Sequence, residues 1–355
     1  MKLMLSAPLP RQVAAGVLLG LAALLGADSA AGQGCAPSRF SFRGIGRDGD
    51  LYLSRGSWQA GFAYRYLTSN TLIQGGDEVD APLPPSVVKS QLLHASLTYA
   101  ITDRLAATLN VPLSRGSHET NYPDKARHVN QATGFGDISL SASYWLFSTS
   151  SSRRGGNVAV GLGMKAPTGR NNAIGTWWDK DGKTSSFPVH QSIQLGDGGW
   201  GLIASFRSFL PVASRVFLHA GGMYTLNPRK TTNVTRSPTD STRWAVPDNW
   251  NAGAGVSIAV WPTQGLTASI EGLFIGTPRR DLIGGKDGDG HRLPANAGYL
   301  NPAVQLNQGV HLVTFGVPIR VYKDFKPSYL DVAAGKPGGG GLAKYSLLAQ
   351  YVVRF

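Results

Sequence analysis

Along most of the chain the apolar positions recur at every second residue. In residues 345–355, Tyr345, Leu347, Ala349, Tyr351, Val353 and Phe355 alternate with Ser346, Leu348, Gln350, Val352 and Arg354. Successive side chains of a strand point to opposite faces, so this pattern predicts a strand with one continuous apolar face. Residues 57–67 repeat it, with Trp58, Ala60, Phe62, Tyr64 and Tyr66 opposite Gln59, Gly61, Ala63 and Arg65. So do 105–113, 138–146 and 158–166, the last with Val158, Val160, Leu162, Met164 and Ala166 on one face and Ala159, Gly161, Gly163 and Lys165 on the other. Further strands are predicted near 89–101, 200–210, 214–226, 250–261, 265–275, 297–306 and 310–322, twelve in all. Pro302 and Pro318 fall inside two of them, where proline removes a ladder donor.

One face is large and apolar, and the other is small or polar. A soluble sandwich buries its apolar face, whereas a barrel in lipid turns that face outward and keeps the polar one in its lumen. The connections favour the barrel. Those at 101–105, 210–215, 261–265 and 307–309 are short, while 68–88, 114–133, 167–199, 227–249, 276–296 and 323–344 are long, and 148–156 is intermediate. Short periplasmic turns alternating with long outer loops, and an even strand count, are the pattern of bacterial outer-membrane barrels. Aromatics near the strand ends (Tyr64, Tyr66, Tyr99, Tyr144, Trp200, Tyr224, Trp250, Trp261, Tyr351, Phe355) fit two interfacial girdles. The expected fold is therefore an all-β transmembrane antiparallel barrel of about twelve strands over residues 56–355. Its terminal strand, ending at Phe355, would engage the barrel-assembly machinery.

Composition narrows the function. With 45 Gly, 21 Pro and only 15% charged residues, long helices and charged disorder are poorly supported. The net charge of +13 raises nucleic acid as a partner, but no Lys/Arg run exceeds two residues, so no nucleic-acid surface is expected. Residues 1–31 read as an export signal, with Lys2 and Arg11, an apolar run from Val13 to Leu25 and small residues at 27–31. No later stretch reaches 18 apolar residues, so a membrane role has to be built from strands. Residues 32–55, with Arg39, Arg43, Arg47 and Arg55, form a periplasmic segment, a plug or an additional strand on this pattern. Cys35, the single cysteine, permits no internal disulfide.

The motifs GFGDISLSASYWLF (134–147), GLGMKAPTGRNN (161–172), LGDGGWG (195–201) and the terminal YSLLAQYVVRF resemble the outer-membrane proteins grouped as the "MetA-pathway of phenol degradation" family, often called transporter-like. The likeness runs from about residue 56 to 355. It implies a barrel in the outer membrane of a Gram-negative bacterium, surrounded by outer-membrane lipid and taking up aromatic or other hydrophobic solutes. It implies no catalytic residues.

Assigning the polar face strand by strand places Arg65, His94, Asp137, Lys165, Arg207, His219, Glu271, Arg320 and Arg354 in the lumen. Such a lumen is net basic and would favour small anions such as carboxylated aromatics. Alternatively, the cations pair with Asp137 or Glu271 and hold a structural or adhesive barrel shut. His94 and Ser96 share a face, as some barrel lipid hydrolases require, but the apolar face of that strand is the odd one, so both turn inward and no enzyme is expected. Trp177 and Trp178 could cap the outer mouth. Asp179–Gly182 and Asp287–Gly290 look like fragments of calcium loops without the distal Glu, and no His or Cys spacing forms a metal site, so no cofactor is expected.

Overall fold

A computed structural model describes residues 52–80, 83–148, 155–283 and 290–355. The export signal, Cys35, most of the 32–55 segment and Asp287–Asp289 lie outside the described residues.

The strands are β1 (Trp58–Ser69), β2 (Val87–Ala100), β3 (Leu105–Asn121), β4 (Arg127–Phe135 and Ser139–Trp145), β5 (Asn157–Lys165), β6 (Gly201–Ala213), β7 (Val216–Leu226), β8 (Asn249–Trp261), β9 (Leu266–Thr277), β10 (Ala295–Gln308), β11 (His311–Gly316 and Ile319–Phe325) and β12 (Ser346–Arg354). Each pairs antiparallel with its neighbour in sequence, and β1 pairs with β12, Gln59 opposite Arg354 through Leu67 opposite Ser346. That pairing closes a barrel of twelve strands, two of them interrupted. No helix among the described residues is long and apolar enough to cross a membrane; a short helix, α1 (Tyr329–Ala333), lies between β11 and β12.

The alternation sorts as the sequence predicts. Phe62, Leu97, Leu109, Leu140, Leu162, Phe206, Ile270 and Val304 are exposed on the outer face, Leu162 by 74%, while Arg65, Asn157, Ala159, Lys165, Ser257, Asn301 and Gln305 are buried on the inner one. A large exposed apolar belt around a polar interior is stable only with lipid as the outer solvent. Trp58, Tyr99, Tyr144, Trp261 and Phe355 are exposed near the short-turn end, and Phe135, Trp200 and Tyr345 near the other.

The two strand breaks share a cause. Gly136 N donates to Pro112 O at 2.8 Å and Val317 N to Pro302 O at 3.1 Å. Residues facing each other in this way normally exchange two bonds. Pro112 and Pro302 have no N–H to return, and the strand opposite each leaves the ladder there, helped in β11 by Pro318.

Three connections differ from expectation. Residues 114–133, expected as a long loop, are mostly strand: β3 runs to Asn121 and β4 starts at Arg127. The long connections after β5 and β7 each fold a hairpin, Ile174–Trp178 with Thr184–Pro188 and Thr231–Ser237 with Asp240–Ala245.

Candidate functional site

A cavity of about 260 Å³ lies inside the barrel, walled by β1–β3, β5, β7–β10 and β12 and by the breaks in β4 and β11, and roofed by parts of the long connections: residues 191–197, 244–247, 291–293 and 342–343. Its wall mixes Leu67, Leu92, Ile275 and Tyr299 with Arg65, His94, Ser114, Thr225 and Asn249.

The roof over β3 to β5 is built by three sequence motifs that converge at the break in β4. Asp137, of Gly-Phe-Gly-Asp, turns inward there, and its Oδ1 accepts from Gly169 N at 2.9 Å. Its Oδ2 accepts from Asp197 N at 3.3 Å and lies 3.7 Å from Lys165 Nζ. The same ammonium forms a salt bridge with Asp197. Thr168 Oγ1 accepts from Ile138 N at 2.8 Å and donates to Gly136 O at 3.1 Å. Three glycines make the approach possible: a Cβ on Gly169 would stand 2.8 Å from Leu195 O, and one on Gly196 2.6 Å from Gly169 O, while Gly136 is the surface Gly169 meets. The lock pulls residues 190–197 into the barrel. Ile193 packs directly on Gly116 of β3, where any side chain would collide with it. Gln194 ties the far side, its Oε1 accepting from Ala173 N and its Nε2 donating to Val189 O, both at 2.8 Å.

The other expected lumen residues face inward, but largely in pairs. Arg320 pairs with Glu78 at the long-loop end. Arg207 stacks over the Trp145 ring at 4.4 Å, in a lumen cluster with Phe209 and Tyr52, whose hydroxyl accepts from Asn157 Nδ2 at 2.9 Å. Arg354 Nε donates to Gln59 Oε1 at 3.2 Å. His219 shares a hydrogen bond with Ser257 at 3.2 Å and lies 4.0 Å from Glu271, below the cavity rather than on its wall. Arg65, His94, Asp137 and Lys165 are on that wall.

His94 faces the cavity, and Ser96 Oγ donates to Gly61 O at 3.3 Å while Leu93 and Leu97 face outward, so neither meets lipid. Trp177 and Trp178, which could also pack under their own loop, have ring partners on the neighbouring β3–β4 hairpin. They lie on the outer hairpin, where Trp178 stacks on His128 at 4.0 Å and both meet the edge of Tyr122. Asp179 Oδ1 accepts from Asp181 N and Lys183 N, both at 2.9 Å, which is turn chemistry. No group of three potential metal ligands occurs among the described residues.

Sequence reading missed the ring series across the roof. His118 on β3 stacks on His190 at 4.3 Å, His190 meets the edge of Trp244 at 4.8 Å, and Trp244 meets His291 at 4.8 Å. Four separate stretches of chain supply these rings, and no spacing links them.

The fold is similar to that of a solved COG4313 outer membrane channel from Pseudomonas putida F1, at 15% identity over 86% of this chain and 98% of that one, with a TM-score of 0.59. Weaker likenesses include the P. putida toluene transporter TodX (9% identity, 85% and 91% covered, TM-score 0.42) and a Pseudomonas aeruginosa FadL homologue (9%, 85% and 90%, 0.40). No protein-family model and no curated protein matches the chain.

Proposed function

We propose that the protein is an outer-membrane channel for small, neutral, hydrophobic or aromatic solutes, moved by passive diffusion. Its short turns face the periplasm and its long loops face outside. The observation that carries this reading is the cavity: a space inside the barrel of about 260 Å³ whose wall joins apolar side chains to scattered hydroxyls and amides. A space of that kind fits a compact organic molecule better than a hydrated ion. The likeness to an outer membrane channel supports the fold on which the reading stands. The reading includes export by a cleaved signal, folding through the terminal strand and membership of the phenol-degradation group.

The pairing of the lumen charges argues for neutral rather than anionic cargo. On the cavity wall and roof, Lys165 is matched by two carboxylates and Arg292 by Asp281. Ionic rings that select anions need charge facing the path.

The test is influx of benzyl alcohol and of benzoate into vesicles carrying the folded mature protein, against empty vesicles. Faster influx of the alcohol, with benzoate lagging, is expected. Influx of neither, with the barrel folded by heat-modifiable migration, would favour the closed structural barrel, which the roof over the cavity makes the second reading.

A further inference from the structure

The ring series crosses the roof from β3 to the connection after β9. His118 stands on β3, His190 on the connection after β5, Trp244 on the hairpin after β7 and His291 on the connection after β9, and His291 Nδ1 lies 4.0 Å from Asp331 Oδ1 of α1. Beside it, His190 Nδ1 accepts from Ser192 N at 3.3 Å and shares a hydrogen bond with Ser192 Oγ at 2.8 Å. That backbone bond caps the turn Gln191–Ile193, and the turn is what lies over the cavity.

An imidazole nitrogen that accepts a backbone N–H carries no proton of its own. Adding one removes the cap and places a cation against the parallel ring of His118. Trp244 Nε1, His291 Nδ1 and Gln191 Oε1 make no hydrogen bond to protein in the closed roof, so its opening breaks none at these atoms.

We propose that this ring series is an acid-opened latch: proton uptake by His190, with His118 and His291, withdraws the turn Gln191–Ile193 from over the cavity, while Asp197 stays anchored to Lys165, and opens the lumen to the outside.

The surroundings favour that direction. His118 faces Arg127 and His190. His190 faces His118, His291 and Arg236. His291 faces Arg236 and Asp240 of the hairpin and Asp331 and Lys336 near α1. Arg236 is itself paired with Asp240 at 3.4 Å. Burial first, then these cations, push His190 well below the ordinary histidine value. Burial, with Arg236, pushes His291 down to about 4.

The sign follows from linkage. A histidine whose value is lowered in the closed state keeps that state stable at neutral pH and withdraws its support as pH falls below the ordinary value near 6.5. For one imidazole moving from about 4 to about 6.5 on opening, the open form gains roughly tenfold at pH 5.5 and roughly thirtyfold at pH 5.

The latch rests on the reading of the lumen as a solute path, and the two are tested separately. Planar-bilayer conductance of the folded mature protein is measured at pH 7.5 and pH 5, alongside benzyl alcohol influx into vesicles at both values. The wild type is expected to gain at least about tenfold in open probability at pH 5. His190→Asn keeps an oxygen that can accept from Ser192 N and cannot titrate, so it should gain much less. Should His190→Asn fail to fold, His118→Phe, which keeps a ring in the stack, carries the comparison. Equal conductance and equal influx at both pH values would overturn the latch and leave the channel standing. An acid gain undiminished in His190→Asn and in His118→Phe would overturn it too. Influx of nothing at either pH, from a folded barrel, would overturn both.

Discussion

Lys165 Nζ lies 3.7 Å from Asp137 Oδ2 where β4 leaves the ladder, and Asp197 completes the group from a connection thirty-two residues downstream of Lys165. Both ends of the Lys165–Asp137 pair are nearly inaccessible, at 5% and 6% of side-chain surface. A charge so placed is stable only while its partners remain. Lys165→Met should therefore leave two carboxylates facing each other and cost about 3–5 kcal/mol. Thermal loss of heat-modifiable migration would report the cost, and cleavage by trypsin at Arg170 would report release of the inner connection. The double variant Lys165→Met with Asp197→Asn should lose less than the two single losses combined, because the pair is removed together.

What could be read from the sequence, and what could not, divides at the edge of the lipid. Val160, Leu162 and Met164 alternate with Ala159, Gly161 and Gly163 because lipid requires an apolar residue at each outward position. Arg115 to Asn121 and Arg127 to Gln131 are equally strand, but they carry no apolar outer face and read as loop. A strand that rises past the membrane has no such requirement. The inward turn of Asp137 and Lys165 was legible for the same reason as the belt, and so was their pairing as one of two options. Asp197 and the rings of His118, His190, Trp244 and His291 were not, because contacts between separate connections leave no period in the chain. The partners of Trp177 and Trp178 were not legible for that reason as well: Tyr122 and His128 belong to the extended β3–β4 hairpin.

The outward face can be tested at Leu162, which is 74% exposed and lies between Val160 and Met164 on β5. Leu162→Arg should destabilise the folded barrel in lipid by about 2–4 kcal/mol if this position is near the midplane. Leu162→Ala should cost far less. Urea titrations of the barrel in vesicles would measure both, and equal stability of Leu162→Arg and wild type would contradict the assigned face.

Pro302→Ala should extend the β10–β11 ladder. The pair Pro302 and Val317 makes only the bond from Val317 N, at 3.1 Å, and alanine returns the missing donor. The new bond is worth about 0.5–1.5 kcal/mol, set against about 0.4–1 kcal/mol from the freer unfolded chain. Global stability should thus barely move. Hydrogen exchange is the sensitive readout: the amide at residue 302, absent in the wild type, should be protected to the level of its neighbours in β10, and rapid exchange there would refute the account of the break.

Glu78 gathers three cations at the outer end, with Lys344 Nζ at 3.2 Å, Lys323 Nζ at 3.4 Å and Arg320 paired besides. Burial alone would raise its pKa, but hydrogen bonds from Lys344 and Lys323, and their charges, outweigh it and hold the carboxyl below the ordinary glutamate value. A carboxylate held down in this way supports the short hairpin in which Ile73–Gln74 pairs with Asp77–Glu78 above its ordinary value, and loses that role only as pH falls through the lowered one. Two consequences can be measured by reversal potential in a salt gradient. Glu78→Gln should shift selectivity toward anions at pH 7.5, since Arg320, Lys323 and Lys344 then face the mouth without a counter-charge. The wild type should show no such shift between pH 7.5 and pH 5, because Glu78 stays ionised over that range. Because Glu78 stays ionised, an acid-induced rise in conductance at pH 5, with or without an anion shift, would come from the histidines of the roof, and its persistence in Glu78→Gln would confirm that separation.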